Sequence, residues 1–480
     1  MTTVEREFRN RAAHIPWHGL GLSVDVYSPD LFELAETLAG RGAVPGYWEV
    51  FRAAQPALAE VRRRLPDALL EYHGEGLWLT QPDWTTAYPF NGELDEAAAH
   101  LRTLGSHWMT HECAAKQMAG HTFGTYLPPL YTAVGAEVAA GNLALTQRRL
   151  DRDGEAEAGF GPLVLLEMPP LTYFGLGDLP IPEFFRLVAE RTPCGLVLDI
   201  GHLWTVYRYA GWWRREPLPA FVADFLDAFP LERVVQIHVA GLAEHVTDAA
   251  GPSQGPPRWI DAHGSPIPEV LEDLLEQILA HPRLVNLRGL ALEVDTKPIS
   301  RIVVEFERFR ERFGRALERW RSVPENVLLS DGRDGREVEL NPVDSTTAAR
   351  LLNRYGDYAR FVTGHPSGEL PSLEADPDMM ELYRRTYLPY EILHWGGELR
   401  DMFPATCLAL EEAGVPLGSF VAFWFREPRP CGEPYDFFLR KLDRFTAFVR
   451  EVLPQAAPLV QQEADGLRSG YRAACERVSA

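Results

Sequence analysis

Short apolar runs alternate with longer amphipathic segments from about residue 19 to residue 298. The runs at 20–25, 47–51, 69–73, 106–109, 163–168, 195–200, 234–239 and 289–294 have the length of strands. Between them, 29–41, 94–104, 134–150, 181–191, 220–228 and 268–279 carry apolar residues at helical spacing. Strands alternating with helices imply parallel βαβ units. Eight of them predict an α/β fold, a (β/α)8 TIM barrel over residues 1–320, closed by a charged outer helix near 302–320.

The pattern changes after residue 320. A polar, turn-rich stretch at 326–341 reads as a domain edge. Segments 345–358, 377–395, 399–413, 435–453 and 456–478 read as helices, predicting a mainly α-helical C-terminal domain over 321–480. Its aromatics (Trp395, Phe420, Phe423, Trp424, Phe425, Tyr435, Phe437, Phe438) fit a helical core. The sharper alternative is a docking surface for a substrate leader or a partner subunit.

Composition narrows the function. Hydrophobic residues at 46% and charged residues at 24% exclude a disordered chain and a coiled-coil rod. The net charge of −21 argues against a nucleic-acid partner. No apolar run reaches the ~18 residues of a membrane span, and the charged first 13 residues lack the apolar centre of a signal peptide. A cytoplasmic protein is expected. Cys113, Cys194, Cys407, Cys431 and Cys475 are scattered and include no CxxC, so neither a disulfide framework nor a thiolate zinc site is expected.

The chemistry concentrates at the strand ends, where a TIM barrel carries its active site. These ends hold Glu49, His73, His107, Glu167, Asp199 with His202, His238 and Glu293, and a following loop adds Asp261 and His263. Buried acids and imidazoles cost desolvation unless they are paired or bind metal. One such residue is a capped strand end; this many converging on one mouth need a common partner. Without Glu49 the set is five histidines and four carboxylates, suited to iron, manganese or zinc. So many ligands imply two or three metals. Glu49 reads equally well as a structural ion pair. Asp295, His111 and His245 are candidates for supporting the ligands or touching substrate. Tyr207 and Tyr209 could line a cleft, but such aromatics more often cover an apolar seam. His14, His18, His100, His281 and His365 have no partners in the pattern.

Nine segments in order carry a resemblance: GLGL at 19–22, EYHGEGL at 71–77, SHW at 106–108, LPPLYT at 127–132, LLE at 165–167, LVLDIGH at 196–202, QIHVAG at 236–241, IDAHGSP at 260–266 and LEVD at 292–295. Together they resemble the multinuclear non-heme iron-dependent oxidative enzymes, the methanobactin-biosynthesis-type barrel oxidases that act on ribosomally synthesised peptides. The resemblance implies a xylose-isomerase-like barrel and two or three iron ions, mixed Fe(II) and Fe(III). It also implies dioxygen as co-substrate and a precursor peptide, often at a cysteine, as substrate. It places the ligands at His73, His107, Glu167, Asp199, His202, His238, Asp261, His263 and Glu293. Relatives commonly need a partner protein to present the peptide, a role the extra domain would replace or recruit. Two positions depart from the pattern: Leu242 stands where relatives often have His, with His245 three residues on, and Val294 where they often have Trp. Two other readings remain: a zinc or manganese isomerase or phosphodiesterase on the same barrel, and a peptide-binding adaptor without catalysis.

Overall fold

The structure is a computed structural model that describes residues 2–87, 90–153, 160–244, 255–321, 343–368, 370, 377–429 and 435–477. Eight parallel strands close into a barrel: β1 (Gly19–Val24), β2 (Trp48–Phe51), β3 (Leu70–His73), β4 (Trp108–Glu112), β5 (Leu163–Glu167), β6 (Gly195–Asp199), β7 (Val234–Ala240) and β8 (Gly289–Glu293). Neighbours in sequence are neighbours in the ring, and β1 pairs with β8 to close it, Gly19 opposite Gly289 through Ser23 opposite Glu293. The predicted (β/α)8 TIM barrel is therefore present.

Seven strands lie where the apolar runs place them. The fourth does not: the apolar run marks 106–109, and the strand is Trp108–Glu112. Gly105 adopts a left-handed conformation, and the Ser106 N–H donates to the Leu101 carbonyl at 2.9 Å, so these residues cap the preceding helix. The strand then runs on into polar residues that the apolar pattern does not mark.

Alternate residues of each strand face the barrel interior, which is layered. At the N-terminal end Tyr47, Trp108, Leu163, Leu165, Val197, Val235 and Ala291 pack with Phe8, Ala12 and Ile15. Those last residues come from helix Thr3–Ala12 and its exit, which plug the barrel floor. Above them lies a polar layer of Ser23, Glu49, Glu71, Thr110 and Gln236, all buried. The last inward positions, at the C-terminal end, carry His73, Glu112, Glu167, Asp199, His238 and Glu293.

The loop after β4 contains an antiparallel hairpin, Ala115–Met118 with His121–Leu127. The C-terminal helices seat on it and on the chain that follows. From helix Ser345–Val362, the Tyr355 hydroxyl accepts the Leu130 N–H at 3.2 Å, and the Tyr358 hydroxyl donates to the Pro128 carbonyl at 3.0 Å. Trp424, in helix Gly418–Phe425, donates its indole N–H to the Thr122 carbonyl at 2.7 Å. Glu391 accepts the Gly124 N–H. The expected 377–395 helix is interrupted: a π-turn, Tyr383–Tyr387, separates Pro377–Leu382 from Leu388–His394. Pro389 has no N–H to give the preceding turn, and the wider turn accommodates that loss. The expected 399–413 helix likewise breaks at Phe403, before Pro404. The stretch 326–341 lies outside the described residues. Among the described residues no helix is long and apolar enough to cross a membrane.

Candidate metal centre

Eight of the nine expected ligand positions converge at the C-terminal mouth of the barrel. Glu167, the last residue of β5, sits centrally: its carboxylate lies 3.3 Å from His73 Nε2, 3.1 Å from His238 Nδ1 and 3.8 Å from His202 Nδ1. Glu293 reaches His238 Nδ1 and His263 Nε2, each at 3.3 Å. Asp261 lies 3.0 Å from His263 Nε2 and 3.6 Å from His202 Nε2. Asp199 ends β6 and caps helix Ile200–Tyr209 by accepting the His202 N–H, which turns His202 toward the mouth. The Tyr207 and Tyr209 hydroxyls of this helix donate to the carbonyls of Glu216 and Trp259, a structural role.

Three imidazoles are tethered through one nitrogen and present the other to the centre. His202 Nδ1 donates to the Met168 carbonyl at 2.7 Å. His263 Nδ1 meets Asp295. His238 Nε2 lies 3.1 Å from Glu49 Oε2. Such outer partners fix ring orientation and tautomer in metal sites. Glu49 is itself held by the Ser23 hydroxyl at 2.5 Å and by the Gln236 amide. It lies in the buried polar layer and supports His238.

His107 is a correction. It precedes β4 at the opposite end of the barrel and lines a small cavity of about 250 Å³ with Arg11, His14 and Phe160. Because β4 starts two residues later than expected, its last inward residue is Glu112, which groups with His73 and Glu167 at ligand spacing. Sequence reading missed Glu112; counting inward positions from Trp108 would have found it. His111 points elsewhere. Its Nδ1 donates to the Glu112 carbonyl at 2.9 Å and its Nε2 accepts the Leu77 N–H at 3.1 Å, so both nitrogens are used. Burial lowers His111 to about 4, keeping it neutral. His245 lies outside the described residues.

Electrostatics favour a cation here. Eight carboxyl groups (Glu49, Glu71, Glu112, Glu167, Asp199, Asp261, Glu293, Asp295) lie around four imidazoles (His73, His202, His238, His263), so acids outnumber imidazoles two to one. Burial opposes ionisation of Glu167, yet His238, His73 and His202 hold it well below the ordinary carboxylate range. Burial also disfavours protonated His238, but Glu49, Glu167 and Glu293 raise it well above the ordinary imidazole value. Glu112 and Asp199 are pushed up to about 7, chiefly by burial, with neighbouring carboxylates adding to the effect. Among the described residues, five buried polar atoms of this centre find no hydrogen-bond partner: His73 Nδ1, Glu112 Oε2, Asp199 Oδ2, Asp261 Oδ1 and Glu293 Oε2. Buried polar atoms are rarely left unpaired. Hard oxygens and imidazole nitrogens crowded without donors fit divalent or trivalent first-row metals. Three overlapping groups have ligand atoms within 4.8 Å of one another: Glu49, His73, His238 and Glu293; His73, Glu112 and Glu167; and Glu167, Asp199 and His202. The centre opens into a cavity of about 870 Å³.

A family model described as RiPP precursor modification enzyme MbnB/TglH/ChrH matches residues 47–312. A UPF0276 protein of Caulobacter vibrioides is 28% identical over 270 residues, covering 55% of this chain and 84% of the relative. A UPF0276 protein of Rhizorhabdus wittichii is 26% identical over 307 residues, covering 61% of this chain and 93% of the relative. Among solved structures, endonuclease IV from Thermus thermophilus aligns with a TM-score of 0.37 at 17% identity, over 62% of this chain and 99% of that one.

Proposed function

Because the chain belongs to the MbnB/TglH/ChrH family of RiPP precursor modification enzymes, we propose that it is a multinuclear iron-dependent oxidase that uses dioxygen to modify a residue of a ribosomally made precursor peptide. His73, Glu112, Glu167, Asp199, His202, His238, Asp261, His263 and Glu293 would hold two or three irons. The observation that carries this reading is the set of buried polar atoms without a hydrogen-bond partner around Glu167 at the barrel mouth. Bound iron in its two oxidation states would supply one-electron chemistry with dioxygen. The chain's own part is geometric. Glu167 stands between three imidazoles and would hold metal together with them. Glu49, Asp295 and the Met168 carbonyl hold three rings in place. The apolar floor under the polar layer closes the far end of the barrel, so substrate enters through the 870 Å³ cavity. The same cavity would admit a cysteine side chain of the peptide next to the residues that would hold the metals.

Elemental analysis of freshly purified protein, with anaerobic Mössbauer and EPR spectra, tests this. Two to three irons per chain, part ferrous and part ferric, are the expected result. Zinc or manganese without iron, after iron-supplemented expression, would shift the assignment to isomerase or phosphodiesterase chemistry.

A further inference from the structure

The metal-type residues are not the only lining of the large cavity. Its wall includes Tyr387, Tyr390 and Trp395 from the C-terminal region, facing Glu112, Asp261 and Glu293 across the same space. Tyr390 is 42% exposed and Trp395 39%, although large aromatics elsewhere in the chain are mostly buried. Their placement is built in. Lys441 is buried and donates to the carbonyls of Leu393, Trp395 and Gly397 at 3.1, 2.6 and 2.8 Å, which fixes the turn carrying Trp395. Tyr390 stacks on His394 with ring centroids 4.3 Å apart.

Apart from the ligand set, the cavity is lined by the acids Asp25, Glu75, Glu244 and Asp295 against the bases Arg52 and Lys116. Both bases are already paired, Lys116 with Glu75 at 3.0 Å and Arg52 with Glu93 at 3.3 Å and Glu96 at 2.8 Å. Burial raises the Asp25 carboxyl above its ordinary value, with Asp295 and Glu75 adding to the shift, as a negative corner does. Exposed aromatic faces in a cavity that carboxylates outnumbering its bases also line suit a cationic side chain. The volume is at the upper end of the ~300–1,000 Å³ typical of ligand clefts, enough for several residues of a peptide.

We propose that Tyr390 and Trp395 are substrate-positioning residues, and that with the acidic wall they hold a lysine or arginine of the precursor peptide next to the residue presented to the metals. The C-terminal region thereby forms one wall of the active site. This rests on the peptide-substrate reading above.

The test uses the full-length protein loaded with zinc, so that iron chemistry takes no part in the readout. A displayed library of nonapeptides with a fixed central cysteine is selected for binding. A recovered peptide is then remade with norleucine in place of its basic residue. Wild type is expected to select a basic residue near the cysteine and to lose about tenfold or more in affinity on the norleucine change. Tyr390→Ala with Trp395→Ala should bind the basic peptide about tenfold more weakly, keep its zinc content, and no longer distinguish norleucine. The conservative Trp395→Phe variant should retain most of the discrimination. No basic preference, undiminished affinity in the double variant, or no peptide selected by wild type would each overturn the proposal. Iron content and oxygen consumption, measured separately, report on the oxidase reading alone.

Discussion

The Nε2 of His238 lies 3.1 Å from the buried carboxylate of Glu49, and this contact leaves Nδ1 facing Glu167 and Glu293. The ring orientation at the centre therefore depends on a residue beneath it. Glu49→Gln keeps the shape but removes the charge that holds the Nε2 proton. Metal affinity should fall about 10-fold or more, read by competition with a chelator of known affinity. Unchanged affinity would remove Glu49 from its supporting role.

His238→Ala and Asp261→Ala should lose metal and turnover together. Full activity in either variant would end the ligand assignment.

Glu112 stands where the sequence expectation put His107, and paired variants separate them. Glu112→Gln should bind less metal than wild type. His107→Ala, altered at the opposite end of the barrel, should keep wild-type metal content. Metal analysis giving the reverse order would restore the register expected from the apolar run.

The residues show why most of this site was legible and part was not. Seven strands are bounded apolar runs; in β5, β6 and β8 the last inward residue turns from apolar to acid (Leu165 to Glu167, Val197 to Asp199, Ala291 to Glu293), and β3 and β7 end on the imidazoles of His73 and His238. That contrast is readable from sequence alone. β4 is different: its apolar run is only Trp108 and Met109, and a helix cap supplies the residues just before it. The Glu71 carboxyl, held by the Thr110 hydroxyl and Gln236, was also invisible, because its role depends on strands that are neighbours only in space. The hairpin Ala115–Leu127 was missed for a similar reason. Its faces are covered by C-terminal helices, so it lacks the alternation of a half-exposed strand.

Stability should carry a pH signature at the seam between hairpin and helices. Burial pushes the Glu391 carboxyl up to about 7. Between its unfolded value of 4.5 and about 7 the folded chain keeps a proton that the unfolded chain has released. Stability from this group is thus greatest below 4.5 and falls as pH rises toward 7, by about 3 kcal/mol in full. Glu391→Gln keeps an acceptor for the Gly124 N–H but cannot ionise. Its melting temperature should exceed that of wild type at about pH 8, with the advantage shrinking at about pH 5. Parallel pH profiles would remove Glu391 as the source.

Lys441→Met should destabilise the chain by about 2–4 kcal/mol, because three carbonyls lose their donor at once. Chemical denaturation measures it. A loss under about 0.5 kcal/mol would mean that water replaces the lysine nitrogen.

The pairing of β1 with β8 also dictates timing. The inward carboxylate of β8, Glu293, leaves the ribosome long after His73, and His238 gains its full set of neighbours only when the last strand docks beside the first. A nascent chain that has made most of the ring still has no complete centre. Any metal that this centre holds would meet its full set of side chains only after β8 has been made and has docked.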